Sequence, residues 1–538
     1  MADGRATMPE EERTMIQRRT LLAAGAALTA APAVAQNTRA TTLRFVPQAN
    51  LSVLDPIFTT ATVTGNHGYY VYDTLYGVDA QLAPKPQMVE GHETSSDGLT
   101  WKFRLREGLR FHDGSPVRSA DCIASIRRWC AREPFGQLLA RVVDDWSATD
   151  DRNFQVRLKR AFPLLLDALA KPDSSTLFIM PERIAATDPG RAITEVVGSG
   201  PFRFVAAEYN SGSRVVYEKF DAYVPRSEAP SWTSGAKVAH FRRIEWHILP
   251  DPATAAAALQ NGEVDWWERP HPDLGPLLAR SRDVRREVTD PLGRLAVMRM
   301  NCLHPPFDDV RIRRAVRLSV LQEDYMRASR GDERSDWDLC RSLWPRGTPY
   351  YNDEGAAMMP GELDRARTAL REAGYANQRA VIINPTDFPD IGPLGQVSAD
   401  RLKRIGMNID LAESDWGTVV QRRNNREPVE RGGWSMLHTT GGATAWANPA
   451  LSFLVRGQGL QGWFGWWSSP RAEELAEAWL FSTDPERQKA LAGELGRHAL
   501  EDAAFLPLGQ FRIRTAFRRD LTGMLEGSSP YPWNLRRG

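Results

Sequence analysis

The sequence predicts an α/β protein containing a mixed or parallel sheet, and three observations carry that reading. Between residues 361 and 411, stretches of helical and strand periodicity alternate, and glycines close the helices. No short-period repeat or low-complexity tract is present, which disfavours solenoids and propellers. The 538 residues correspond to about two to four domains at roughly 150 residues each.

The chain opens on an address. Arg18 and Arg19 precede an alanine-rich uncharged stretch, Thr20 to Gln36, too short and weakly apolar for a membrane helix. Ala33-Val34-Ala35 offers the small residues that signal peptidase accepts, so cleavage is expected after Ala35. Paired arginines with modest hydrophobicity resemble a twin-arginine export signal, residues 1–35. No cysteine lies near the cut, so no lipid anchor is expected, and a soluble periplasmic protein follows.

Downstream, Thr42 to Val46 reads as an opening strand, and residues 63–78 form an aromatic-rich segment. Trp101 to Arg106 alternates as a strand and runs into the turn His112-Asp113-Gly114. A helix is expected from Ser119, with Ile123, Ile126 and Trp129 or Cys130 on one face. Another is expected from Val310 to Met326, entered through Asp308-Asp309, whose acids suit a positive helix end. A helix from about Glu362 would bury Leu363, Ala366 and Leu370 and stop before Gly374. Strand Ala380–Ile383, a helix over about 396–405 and strand Met407–Leu411 then read as a βαβ unit.

Composition excludes several classes. With 68 basic and 67 acidic residues the net charge is +1, and the signs are interspersed, so no basic face awaits nucleic acid. Hydrophobic residues at 42% exclude wholesale disorder. Of the four cysteines, Cys122 and Cys130 sit roughly 12 Å apart along one helix, too far to bridge. Cys302–Cys340 is a candidate disulfide, and buried free thiols are the alternative. No CxxC, HExxH, Walker loop or Gly-x-Ser-x-Gly turn appears, and no cofactor or metal is expected.

Four segments, in order, carry a family resemblance. They are Trp101 to Asp121 (WKFRLREGLRFHDGSPVRSAD), Gly198 to Tyr223 (GSGPFRFVAAEYNSGSRVVYEKFDAY), Ala258 to Asp265 (ALQNGEVD) and Asn301 to Tyr325 (NCLHPPFDDVRIRRAVRLSVLQEDY). Together they resemble the peptide/nickel group of ABC-transporter solute-binding proteins, the dipeptide- and oligopeptide-binding family 5. The resemblance implies a bilobed periplasmic-binding-protein clamp of class II, peptide-binding type, with an additional third domain. It places domain I at 37–85, 196–295 and 505–538, domain II at 86–195 and domain III at 296–504. It implies a monomeric receptor that captures a peptide-like or other small solute between lobes and delivers it to a permease/ATPase complex at the inner membrane.

The candidate ligand contacts are Asn50 and His67 from domain I, and Asp387 in the loop after a strand, where open α/β sheets place ligands. Trp416 opens the element after the next strand. The Gly-rich aromatic loop adds Trp434, His438, Thr439, Thr440, Gly441 and Trp446, offering rigid walls and accessible backbone N–H groups. Peptide-binding relatives hold the peptide amine with an Asp where this chain has Ala445, and Trp434 to Arg456 contains no acid. A buried ammonium without a counter-charge is costly. Either another acid, such as Asp387 or Asp415, substitutes, or the ligand has no free amine there; the second is favoured, which leaves a modified peptide, opine, sugar derivative or metal chelate. Two alternatives remain: an exported glycosidase-like hydrolase, for which Asp387 with Asp415 is the one carboxylate pair to nominate, and a periplasmic sensor receptor using the same clamp.

Overall fold

The computed structural model describes residues 39–173 and 175–538; the expected leader and its cut after Ala35 lie outside them. The chain builds three main sheets. The first has seven strands, in the order 284–288, 514–518, 266–267, 42–46, 243–247, 214–219 and 202–204. At its centre Thr42–Val46 pairs in parallel with Arg243–His247 on one side and Trp266–Trp267 on the other. Its alternating and apolar residues are buried on both faces, as a central parallel strand requires. The connecting helix Pro252–Asn261 starts at Asp251, whose carboxylate accepts from the Thr254 N–H, and ends at Gly262 with φ 73°. That left-handed position favours glycine.

A second, four-stranded antiparallel sheet comprises 89–94, 100–105, 153–158 and 143–148. Helix Ser119–Cys130 packs against it, and helix Pro134–Val142 packs on that helix. A third sheet has six strands, in the order 337–338, 505–511, 294–300, 436–442, 379–385 and 408–414. The βαβ reading corresponds here to strand Arg379–Pro385, helix Gly392–Arg404 and strand Asn408–Ser414, the two strands running parallel.

Three features differ from the sequence reading. The helix expected over 310–326 is two helices, Val310–Leu318 and Gln322–Arg330. The break is held by tertiary bonds, since Arg401 donates to the Ser319 carbonyl and Ser319 Oγ to that of Val316. Strand Phe505–Phe511 pairs with Arg294–Met300 in the six-stranded sheet, whereas the expected division gave 505 onward to domain I. The chain therefore crosses between the two large sheets at 288–294 and 511–514. All four cysteines are free; the Cys340 thiol donates towards the carbonyls of Ser342 and Trp344, and Cys302–Cys340 is not a disulfide.

No helix among the described residues is long and apolar enough to cross a membrane.

Candidate functional site

The two large sheets and the four-stranded unit meet around a small chamber of about 40 Å³. Gln48 and Thr60–Thr62 come from the seven-stranded unit, and Asp173 from the segment following the four-stranded sheet. Arg294 stands where the chain crosses. The six-stranded unit supplies most of the wall: Trp416 and Arg423 from helix Trp416–Arg422 and its cap, Thr439 to Gly441 from a strand, and Trp446, Phe453 and Trp463 beyond it. A wider groove of about 520 Å³ adjoins the chamber, sharing Thr60, Arg423, Phe453 and Trp463. Another groove, of about 830 Å³, lies elsewhere between the same sheets and is lined by charged residues such as Arg286, Asp336 and Arg514, without an aromatic wall.

The aromatic wall is interlocked. Phe453 stacks on Trp463 at 4.6 Å between ring centres and meets Trp446 edge-on at 5.6 Å. A Cβ on Gly441 would lie 2.3 Å from the Trp446 ring. Glycine is therefore needed there for close approach, not for a special backbone angle.

Charge on the chamber wall is carried by Arg294, Arg423 and Asp173. Arg294 donates to the Thr440 carbonyl at 3.2 Å and lies 3.5 Å from the hydroxyls of Thr440 and Thr62, so it joins strand 436–442 to helix Thr62–Val71. Burial, reinforced by repulsion from Arg269, lowers its pKa to about 10, which leaves it protonated at neutral pH. Arg423 is also brought down to about 10, by burial alone. Asp173 faces Thr444 Oγ at 3.4 Å across a separation of 271 residues.

Of the residues nominated from the sequence, Trp416, Thr439, Thr440, Gly441 and Trp446 line this chamber. The others do not. Asn50 is exposed and spends its side chain on Ser211 and the Gly212 N–H. His67 is fully buried against Tyr217 and Phe204. Asp387 accepts from the Trp416 N–H, and Asp415 from the Thr418 N–H, so both carboxylates cap one helix. Both are engaged as helix caps and neither lines the chamber, whose wall carries Asp173 instead, facing Thr444 next to Ala445. Trp434 packs on Trp466 and donates to the Arg423 carbonyl. His438 faces helix Gly392–Arg404, bonded to Ser398 at 2.7 Å. Arg294, Arg423, Asp173, Phe453 and Trp463 were not nominated. Trp463 had a signal, as part of the late tryptophan cluster; the arginines had none among 68 basic residues.

His67 and His438 give a pH prediction. Burial pushes both pKa values down to about 3 from 6.5. Between those values the unfolded chain binds more protons than the folded one, so stability falls as pH drops below about 6.5 and continues falling to about 3. The loss is on the order of 2 kcal/mol per histidine at pH 5. Thermal unfolding of His67→Gln and His438→Gln between pH 7 and pH 4.5 should each show a shallower loss than the parent; unchanged slopes would remove these two groups as the cause.

Comparison with known proteins places this architecture. Residues 83–459 match the family described as bacterial extracellular solute-binding proteins, family 5 Middle. A probable peptide ABC transporter periplasmic-binding protein of Sinorhizobium fredii, y4tO, is 37% identical over 97% of this chain and 99% of its own. The glutathione-binding protein GsiB of Pectobacterium atrosepticum is 26% identical over 94% of this chain and 96% of its own. Among solved structures, AgaA from A. tumefaciens R10 with agropinic acid superposes at TM-score 0.76 with 18% identity, covering 92% of this chain and 99% of AgaA. DppA from Helicobacter pylori with the peptide STSA also gives 0.76, with 19% identity over 94% of this chain and 99% of DppA.

Proposed function

Because the chain belongs to the bacterial extracellular solute-binding proteins of family 5, a family of transport receptors and not of enzymes, we propose that the chamber between its two large sheets is where it holds its solute. The protein is a receptor that delivers a bound solute to an ABC importer. The observation that carries the location is the wall itself: one cavity draws Thr60–Thr62, Asp173, Arg294, Trp416 and Trp446 from all three units. A solute touching both large units stabilises the closed arrangement by contacts unavailable when they part.

In this reading the three sheets correspond to domains I, II and III, with the boundaries moved to the crossings at 288–294 and 511–514. The twin-arginine leader exports the chain to the periplasm, where it works as a soluble monomer without a lipid anchor. The contacts we assign are Trp416, Thr439, Thr440, Gly441 and Trp446, with Arg294, Arg423 and Trp463 added. The solute is small and neutral or anionic, without a free amine seated at Ala445. Relatives named for peptides and for glutathione support a peptide-like compound.

Mass spectrometry of the solute released from protein isolated from the periplasm tests this. An unaltered small neutral or anionic compound is expected; free di- to pentapeptides at near-full occupancy would overturn the reading drawn from Ala445. Trp416 is half-buried and meets Phe388 edge-on, so Trp416→Ala should weaken solute binding by at least about 1 kcal/mol without unfolding the protein. Unchanged affinity by titration calorimetry would remove Trp416 from the pocket. Trp446, 1% exposed and packed on Phe453, is a poorer probe, because its truncation would also cost core packing, about 3–5 kcal/mol.

A further inference from the structure

Three nitrogen donors on the chamber wall have no acceptor. Arg423 Nε, Trp446 Nε1 and Trp463 Nε1 are each buried without a hydrogen-bond partner. Arg423 is only 5% exposed, and no described carboxylate or carbonyl accepts from its guanidinium. Its neighbours are rings: Phe464 at 4.5 Å and Trp416 at 6.0 Å from the guanidinium carbon. These contacts hold the plane of the group without neutralising it. Other buried arginines meet a backbone carbonyl or an acid: Arg299 donates to the Phe464 carbonyl and Arg313 to that of Phe307. Arg128 is paired with Asp55, Arg330 with Asp390 and Arg456 with Glu473.

A buried charge without a counter-ion is strongly unfavourable. Indole N–H groups are donors only, and a guanidinium has no acceptor. All three orphan groups therefore ask for the same thing, an electron-rich acceptor with more than one lone pair. The two indoles are fixed on Phe453, so the donors are pre-positioned. Arginine's planar fork matches a two-oxygen planar anion in particular. The wall's charged groups are Arg294, Arg423 and Asp173, an excess of positive charge that a solute of net negative charge would balance.

We propose that the solute carries a carboxylate, which the protein seats on the guanidinium of Arg423 and the indole N–H groups of Trp446 and Trp463. This rests on the reading of the chamber as the solute site and names the chemistry that the site selects. The guanidinium is then a specificity device that the empty protein tolerates at a cost in stability.

The test uses the full mature protein stripped of bound solute, with tryptophan fluorescence and thermal unfolding as readouts. The probes are acids (N-acetyl dipeptides, sugar acids and dicarboxylates) and the neutral amide of each, with inorganic phosphate alongside. At least one acid should bind, and its amide should bind about 10- to 150-fold more weakly, the range for a hydrogen bond to a charged group. Arg423→Gln should abolish the preference for acid over amide and raise the unfolding midpoint of the empty protein. Trp463→Phe keeps the ring, loses the N–H and should weaken acid binding more than amide binding. The inference is overturned if no acid binds, if amides bind as well as acids, if phosphate binds better than every acid, or if Arg423→Gln keeps the acid preference. Amides binding in place of acids would sink the carboxylate and leave the receptor intact. No probe binding, together with no solute on the periplasmic protein, would sink both.

Discussion

Asp55→Ala should cost about 3–5 kcal/mol of stability, the penalty for removing one partner of a buried ion pair. Against a total of about 5–15 kcal/mol, that brings the protein close to unfolding. Asp55 and Arg128 are almost completely inaccessible, at 0% and 1% side-chain exposure, and join through two hydrogen bonds of 2.6 and 3.2 Å. The same carboxylate accepts from the Ile57 N–H at 3.0 Å and the Ile193 N–H at 3.0 Å. It therefore ties the loop after the first strand to helix Ser119–Cys130 of the four-stranded unit. That loop continues into Thr60–Thr62 of the chamber, so the variant should also bind solute more weakly even at temperatures where it stays folded. Urea unfolding measures the first effect. A double variant, Asp55→Leu with Arg128→Met, should recover much of the loss, because no charge is left stranded. A single variant within 1 kcal/mol of the parent would contradict the assignment.

The second large effect concerns closure. Arg269 follows strand Trp266–Trp267 of the seven-stranded sheet, and Asp390 follows strand Arg379–Pro385 of the six-stranded one. Their side chains, 8% and 4% exposed, meet at 3.1 Å. Burial alone would raise the Asp390 pKa, but Arg330, Arg269 and Arg294 outweigh it and hold the carboxyl below its ordinary value. Arg330 belongs to the same unit as Asp390, so Arg269→Ala removes the tie between units and leaves the Asp390–Arg330 pair in place. A charged hydrogen bond is worth about 1.5–3 kcal/mol, so the closed form should lose that much relative to the open one. When closure is required for tight binding, affinity falls by the same factor, about 10- to 150-fold. Calorimetric titration with the periplasmic solute reads this directly. Unchanged affinity would show that the pair does not participate in closing.

How far the sequence carried the fold can be argued from particular elements. The βαβ unit over 379–414 was legible because its periodicity switches cleanly and Gly374 and Gly406 punctuate it. The break at Ser319 was not, because residues 310–326 keep a helical pattern and the interruption is held by Arg401, 82 positions away. Strand Phe505–Phe511 was given to domain I with the rest of the C-terminal segment, since pairing partners are a tertiary fact and its uniformly buried residues would suit either large sheet.

The site divides in the same way. Gly441 and Trp446 were legible as a close approach of glycine to an aromatic wall, although the segment read as a loop forms strand 436–442. His67 and His438 misled for the opposite reason. A histidine in an aromatic or Gly-rich stretch looks functional until burial shows it neutral and packed. Arg423 is decisive only by what does not touch it, and no one-dimensional pattern records the lack of a partner. Asp173 reaches the chamber from another unit entirely.

If the protein works as a clamp, its two large units shut around an unaltered guest. X-ray scattering of the solute-stripped protein, before and after the periplasmic solute is added back, tests it most directly. The radius of gyration should contract on addition, and Arg269→Ala should require more solute to reach the same contraction. Saturating solute that leaves the radius of gyration unchanged would contradict it.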